Sequence, residues 1–402
     1  MKDLVRQFRN LFVSLQLTVV LLALGIVLVF AATLDQTNLG VWAVQDKYFR
    51  SFFVLWKVGD IPVPVFPGGY LVGGFLFFNL LASHIYRFKF SWKKAGIFLT
   101  HVGLLVLLVG ELLTGLWQEE FSMRLEKDLA RNYSESYLRN ELAVIQSDDG
   151  KTDNVTAIPE GLLARKGSIE VPELPFRIVV KDYFPNAGLV AAGSVRLDAT
   201  PITLSDGQKA VLLPQPMTYK QDERNLPGAV IELVALNGGS LGSFMLAAQG
   251  GPAVPGRLLV LPHEVTHAGK TWKVILRFKR EYKPFTLTLL EFKHDVYTGT
   301  DIPKNFSSRV RLTSPDSQDN QEALIYMNNP FRYAGLTFYQ ASFERDETGA
   351  TNDKVTVLQV VRNPSRHLPY ISCILMGLGL LVQFGIHLFA FLGKRRAAAA
   401  AI

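Results

Sequence analysis

The chain has 402 residues, 42 Lys and Arg against 35 Asp and Glu, a formal net charge of +7, and 49% hydrophobic residues. Its one cysteine, Cys373, rules out an intrachain disulfide framework, and the absence of CxxC and CxxCH rules out thiol exchange and covalent attachment of a c-type haem to this chain. The basic excess lies in short clusters beside apolar runs, so it reports membrane topology and not a nucleic-acid-binding face, which would need a basic surface on a folded domain.

In chain order, the runs Leu11 to Ala32, Gly68 to Tyr86, Ala95 to Trp117 and Leu368 to Leu392 each offer about 20 predominantly apolar residues, enough for a helix to cross about 30 Å of hydrocarbon. Four transmembrane helices are expected. Lys2, Arg6 and Arg9 precede the first run as they would in a secretory signal, but its apolar core is longer than the roughly 7 to 15 residues of a cleaved one, so it is read as a retained anchor. Arg87, Lys89, Lys93 and Lys94 fill the link between the second and third runs, and Lys394, Arg395 and Arg396 follow the fourth. The positive-inside rule then puts all three clusters and both termini in the cytoplasm. The expected organisation is a membrane region over residues 1–117, a large extracytoplasmic domain over 118–367, and a fourth helix with a short basic tail over 368–402. The Ala-rich end after Arg396 is expected to be disordered.

The large domain reads as all-β, a sandwich or barrel-like fold. Strands are expected at Phe176 to Phe184, Ala229 to Leu236, Thr271 to Tyr282, Phe285 to Tyr297, Ser308 to Thr313, Leu336 to Phe343 and Lys354 to Val361, with turns at Asn237-Gly238-Gly239 and Asp206-Gly207. The charged stretch Trp117 to Arg139 is expected to be an exposed connector.

A histidine in lipid is costly enough to be a functional hypothesis by default. His84 ends the second helix, His101 lies about two turns into the third, and His387 lies about two turns before Lys394, so all three share the cytoplasmic half of the membrane. His84 and His387 also suit interfacial residues whose tips reach the headgroups; His101 is deeper. Gly96, Gly103 and Gly110 form one small-residue face of the type that lets helices approach closely. His101 is about 200° from Gly103 and points away from that face, toward a partner or a planar ligand. Gly379, Gln383 and His387 give the fourth helix a polar stripe. Glu111, near the outer end of the third helix, suits an interfacial residue, with a role in ligand entry as the alternative.

His263-Glu264-Val265-Thr266-His267 matches the HExxH zinc-protease pattern, which works only on a helix, where residues four apart face one metal. Pro262, the β-branched Val265 and Thr266, and Gly269 argue for a surface hairpin or, less strongly, a haem-facing histidine pair.

Three stretches carry a family resemblance: GIFLTHVGLLVLLVG from Gly96 to Gly110, GTDIPKNFSS from Gly299 to Ser308, and Met327-Asn328-Asn329-Pro330 followed by GLTFYQAS from Gly335 to Ser342. Together with the order of three helices, outer domain and fourth helix, they resemble the ResB family of cytochrome c biogenesis proteins, the CcsB-type subunit of System II. The resemblance implies a polytopic CcsA/ResC-like partner, transient non-covalent b-type haem carried across a bacterial inner membrane, a large periplasmic domain, and attachment of haem to apocytochrome c outside. It also implies that His101, which matches the family's third-helix histidine, is an axial haem ligand, with a partner histidine as the second. The partner's Trp-rich segment is absent here, so this chain is not expected to be catalytic alone but to serve in a holocytochrome c synthase, or haem lyase, complex. His84 and His387 are weaker haem-binding candidates, and the outer histidines His263, His267, His294 and His367 match no family motif. No metal site beyond haem iron is expected. The competing readings are a scaffold that stabilises the partner without ligating haem and, on His263 and His267 alone, a zinc hydrolase.

Overall fold

The computed structural model describes residues 2–59, 61–147, 152–191, 202–203, 209–220, 223, 225–248, 262–300, 303–345 and 351–399. The chain divides into two compact units. One comprises Met1–Glu119, Tyr219–Gln221 and Arg362–Ile402; the other comprises Glu120–Thr218 and Asp222–Val361.

The first unit is helical. It contains α1 (Lys2–Phe12), α2 (Leu15–Leu39), the short α3 (Val41–Val44), the hairpin strands β1 (Phe53–Val58) and β2 (Ile61–Pro67), α4 (Gly69–Tyr86) and α5 (Ala95–Trp117). Among the described residues, four helices are long and apolar enough to cross a membrane: Leu15–Leu39, Gly69–Tyr86, Trp92–Trp117 and Leu368–Arg396. The first begins later than its apolar run, because the chain breaks between Phe12 and Leu15. Asn79 of α4 satisfies the carbonyls freed by that break: its Nδ2 donates to Phe12 O at 2.8 Å and Ser14 O at 3.0 Å, while Thr18 Oγ1 donates to its Oδ1 at 2.6 Å. Without those partners, freed carbonyls in hydrocarbon would cost several kcal/mol each.

Gly96, Gly103 and Gly110 are buried along one face of α5. They meet the fourth spanning helix, which runs from Leu368 to Ala399. A Cβ built on Gly96 would stand 2.5 Å from Gln383 N and Gly379 O, and one on Gly103 would stand 2.7 Å from Met376 Cγ. Ser372 Oγ donates to Gly103 O at 2.8 Å across the same contact. The Ala-rich end expected to be disordered continues this helix to Ala399, in keeping with alanine's helix propensity.

The second unit is strand-rich. In chain order it contains β3 (Glu119–Glu126), β4 (Ala130–Ser147), β5 (Asp153–Pro159), the single-turn α6 (Glu160–Leu163), β6 (Gly167–Ile169), β7 (Phe176–Phe184), β8 (Ala187–Ala191), β9 (Ile202–Thr203), β10 (Lys209–Pro214), β11 (Gly228–Ala235) and β12 (Ser240–Ala247). The later strands are β13 (His263–His267), β14 (Lys270–Val296), β15 (Pro303–Ser314), β16 (Asp319–Tyr326), β17 (Phe331–Tyr333), β18 (Leu336–Arg345) and β19 (Thr351–Arg362), after which comes α7, the Leu368–Ala399 helix. The main sheet runs β16-β15-β14-β4-β3-β19-β18-β17. It curls until β15 and β16 at one end approach β18 at the other, a nearly closed barrel. Met123, Leu125, Phe285, Leu287, Leu289, Val310, Leu312, Ile325, Phe338, Leu358 and Val360 fill its interior.

A second core lies between the β12-β11-β7-β6 sheet and the other halves of β4 and β14, built on Leu142, Val144, Phe176, Ile178, Ile231, Leu233, Val274 and Leu276. β14 therefore serves both cores. Its inward residues are even-numbered from Trp272 to Phe278 and odd-numbered from Phe285 to Leu289, and the change of phase falls at register shifts over Phe278/Arg280 and Tyr282/Leu287. A bulge inserts one residue and so turns the alternate side chains to the other face. For the same reason the two strands expected at Thr271 to Tyr282 and Phe285 to Tyr297 are one strand, bent near Pro284.

The stretch expected to be an exposed connector contributes β3 and the start of β4, with Met123 and Leu125 fully buried. Arg124 on the same strand grips Glu344 of β18 with two hydrogen bonds of 2.6 and 2.9 Å and also meets Glu126. The Glu344 carboxylate, and to a lesser degree Glu126, holds the guanidinium pKa further above its ordinary value. The Asn237-Gly238-Gly239 turn joins β11 to β12 as expected, with Gly238 at φ 91°. The expected Asp206-Gly207 turn lies outside the described residues.

At the junction of the two cores, Arg277 and Glu141 form an ion pair of 2.8 Å with both side chains under a tenth exposed. Removing one partner strands a buried charge, so Arg277→Met is expected to destabilise the protein by about 3–5 kcal/mol, while Arg277→Met with Glu141→Leu recovers most of the loss. Chemical denaturation of the purified protein measures both; equal losses for single and double variants would contradict the account. In the membrane unit, Gly96→Ala is expected to cost about 1–3 kcal/mol from overpacking, whereas Gly73→Ala, whose Cβ meets nothing within 4 Å, should be neutral in the same denaturation assay.

Candidate functional site: a histidine pair in the membrane helices

With α7 pressed on its glycine face, α5 turns His101 the other way, toward α4. There His101 Nδ1 lies 3.2 Å from His84 Nε2, the rings 4.9 Å apart and nearly perpendicular at 88°. His84 Nδ1 in turn lies 2.9 Å from Leu80 O one helical turn back. A carbonyl can only accept, so His84 carries its proton on Nδ1. With both rings neutral, His84 Nε2 is then the acceptor and His101 Nδ1 the donor, which leaves the lone pair on His101 Nε2. This assignment follows from hydrogen-bond geometry.

Aromatic side chains pack around His84. Phe88 stacks on His84 at 5.2 Å, Phe98 lies 6.0 Å from it, and Phe88 and Phe90 each lie 5.7 Å from Phe98. An iron porphyrin in an apolar site takes a neutral imidazole nitrogen whose other ring nitrogen is fixed by a hydrogen bond. His101, with its Nδ1 held by His84, fits that requirement. Because His84 spends both nitrogens in the relay, the pair offers a single imidazole nitrogen, His101 Nε2, to a metal.

The structure does not bring His387 into this pair. It is exposed on α7, its Nε2 3.0 Å from Gln383 Nε2, and Gln383 is tied to the start of α5 through Ile97 N and Lys93 O. Glu111 is exposed on α5. The HExxH residues form β13, paired with β14 through a tight turn at Ala268-Gly269, both with positive φ. On a strand, His263 and His267 lie about 13 Å apart and cannot share one metal ion. His263 Nε2 contacts Met245 O at 3.0 Å, and His267 packs on Phe176. His294 is stacked between Phe306 and Phe343 at 4.6 and 4.5 Å, and His367 contacts Arg366.

Sequence reasoning placed His84 and His101 in the same half of the membrane, His101 the deeper, but did not pair them. Depth is legible from the distance to Arg87 and Lys94; the azimuth of α4 relative to α5 is not. Asn79 went unnoticed because a lone amide in an apolar run gives no hint of a helix break 65 residues earlier in the chain.

Residues 233–353 match the model of the ResB-like family. The segment runs from β11 to the start of β19 and holds two of the three stretches that carried the resemblance, so the ResB resemblance is borne out there. It lies wholly outside α4 and α5. Two curated proteins are similar over part of their length. The protein NrfI of Wolinella succinogenes is 35% identical over 98 residues, 24% of this chain and 10% of that protein. The cytochrome c biogenesis protein CcsB of Prochlorococcus marinus is 30% identical over 112 residues, 28% of this chain and 22% of that protein. The matches thus span about a tenth to about a fifth of the length of these relatives.

Proposed function

We propose that this ResB-like chain works in cytochrome c biogenesis as a membrane subunit that holds haem as cargo and presents it for covalent attachment to apocytochrome c on the far side of the membrane. The similarity to CcsB supports the first half of that reading, and the Leu80–His84–His101 relay supports the second. In this reading Leu80 O fixes the His84 tautomer, His84 Nε2 fixes His101, and His101 Nε2 is left to bind iron. Phe88 and Phe98 keep water and lipid headgroups from competing. A polytopic CcsA/ResC-like partner supplies the second axial nitrogen, and ligand exchange at that shared site releases the cargo. The chain alone is not catalytic; attachment belongs to the complex. The basic clusters support an orientation with both termini in the cytoplasm and the strand-rich unit outside.

A scaffold reading, in which the partner supplies every haem ligand, predicts that the histidines are replaceable. His101→Ala is therefore the deciding variant. The complex should still assemble, lose most of its haem absorption, and regain part of it on addition of imidazole, which provides the same nitrogen donor. His84→Ala should weaken haem binding by about 10- to 100-fold, the usual effect of removing a ligand's hydrogen-bond partner. Unchanged haem spectra in both variants would leave the scaffold reading in place. For orientation, a reporter active only in the cytoplasm should be silent when fused after Ser205, and activity there would reverse the assignment.

A further inference from the structure

Among the described residues, β1 and β2 pair only with each other, as an antiparallel ribbon set apart from the other sheets. Its root is fixed: Val54 is buried among Leu28, Ala32, Val44 and Tyr48, and Phe66 packs on the same cluster. Beyond the root the ribbon is bare. Trp56, Val58 and Ile61 are 64%, 63% and 68% exposed, and Leu55, Val63 and Val65 are exposed as well. Because successive strand residues face opposite sides, both faces of the ribbon are apolar, so neither is a solvated face. Such an isolated hairpin is marginal at best in water.

The outer edge of β2 is also unusual. Pro62 and Pro64 pair with Lys57 and Leu55, so the ladder amides over this stretch come from Ile61 and Val63, and the positions whose amides would point outward are the prolines. That edge has no N–H there to recruit another strand or to require water.

Leu28 and Ala32, on which the root sits, belong to the last apolar turns of α2, whose remaining faces expose Ile26, Val27, Val29 and Phe30. The bare surface of the ribbon is therefore continuous with the lipid-facing surface of a membrane helix, at the depth where that surface ends. Phe52, Trp56 and Lys57 supply the aromatic and snorkelling side chains favoured at that depth.

We propose that the β1–β2 ribbon is an interfacial anchor, seated in the headgroup–acyl boundary of the leaflet at the C-terminal end of α2, with lipid covering both of its faces. The role is independent of haem handling. The test places single spin labels at Trp56→Cys, Val58→Cys and Ile61→Cys in full-length Cys373→Ser protein, in phosphatidylcholine–phosphatidylglycerol vesicles, with Gly239→Cys on the β11–β12 turn as the aqueous control. Relaxation by oxygen relative to a water-soluble nickel chelate should be several-fold higher at the three ribbon sites than at the control. A ratio equal to the control would place the ribbon in water. Labels shielded from both reagents would show a protein surface covering it, and either result overturns the proposal. Brominated lipid gives a second measurement without cysteines: quenching of tryptophan emission should fall in Trp56→Phe, and unchanged quenching would count against lipid contact.

Discussion

The approach of α5 to α7 is the constraint from which the arrangement of the membrane unit follows. Glycines at 96, 103 and 110 let the two helices meet at a distance at which a single methyl would crowd backbone atoms of the partner helix at the first two positions and the Leu368 side chain at the third, and Ser372 seals the contact with a hydrogen bond to Gly103 O. In lipid, where no hydrophobic force draws apolar helices together, close packing of this kind and buried polar contacts are what hold them. Committing one face of α5 to α7 leaves the face with His101 free to meet α4. The histidine relay is thus a consequence of the glycine face, and Asn79, on the same α4, fixes that helix to the start of α2 through the break after Phe12.

In the strand-rich unit the comparable role falls to β4 and β14, which run side by side through both cores. Each core alone is a modest cluster; sharing two long strands makes them one hydrogen-bonded body. The bulges near Asn140 and Pro284 allow this, since a strand that kept strict alternation could serve a core on one side only. The price is a polar junction between the cores, and the Arg277–Glu141 pair fills it with complementary charge. The ResB-like match covers all of β14 and the barrel strands that follow it as far as the start of β19.

The histidines divide by environment. Those of β13 and β14 are occupied by carbonyl or aromatic neighbours, and His387 lies exposed beside Gln383. His101 differs because, among the described residues, its polar contact is one that orients it and leaves its other nitrogen unspent. In the proposed function, a single oriented imidazole suits a cargo that must be bound and then released.

The sequence by itself determined the elements whose signal is local. Four apolar runs fixed the spanning helices, the seven-residue glycine spacing fixed a packing face, and β-branched residues with Gly269 identified HEVTH as a hairpin strand. Only the tertiary structure decided what depends on azimuth and register: that His84 meets His101, that Asn79 covers a helix break, that Trp117 to Arg139 is largely strand, and that β14 is continuous through Pro284. Charged residues lie between buried ones in β3 and β4, so composition over that stretch reads as exposed although Phe121, Met123, Leu125, Ser134 and Ser136 are inside. The rotation of one helix about its axis relative to another leaves no trace in either helix's own periodicity, because it is set by the packing of side chains far apart in the chain.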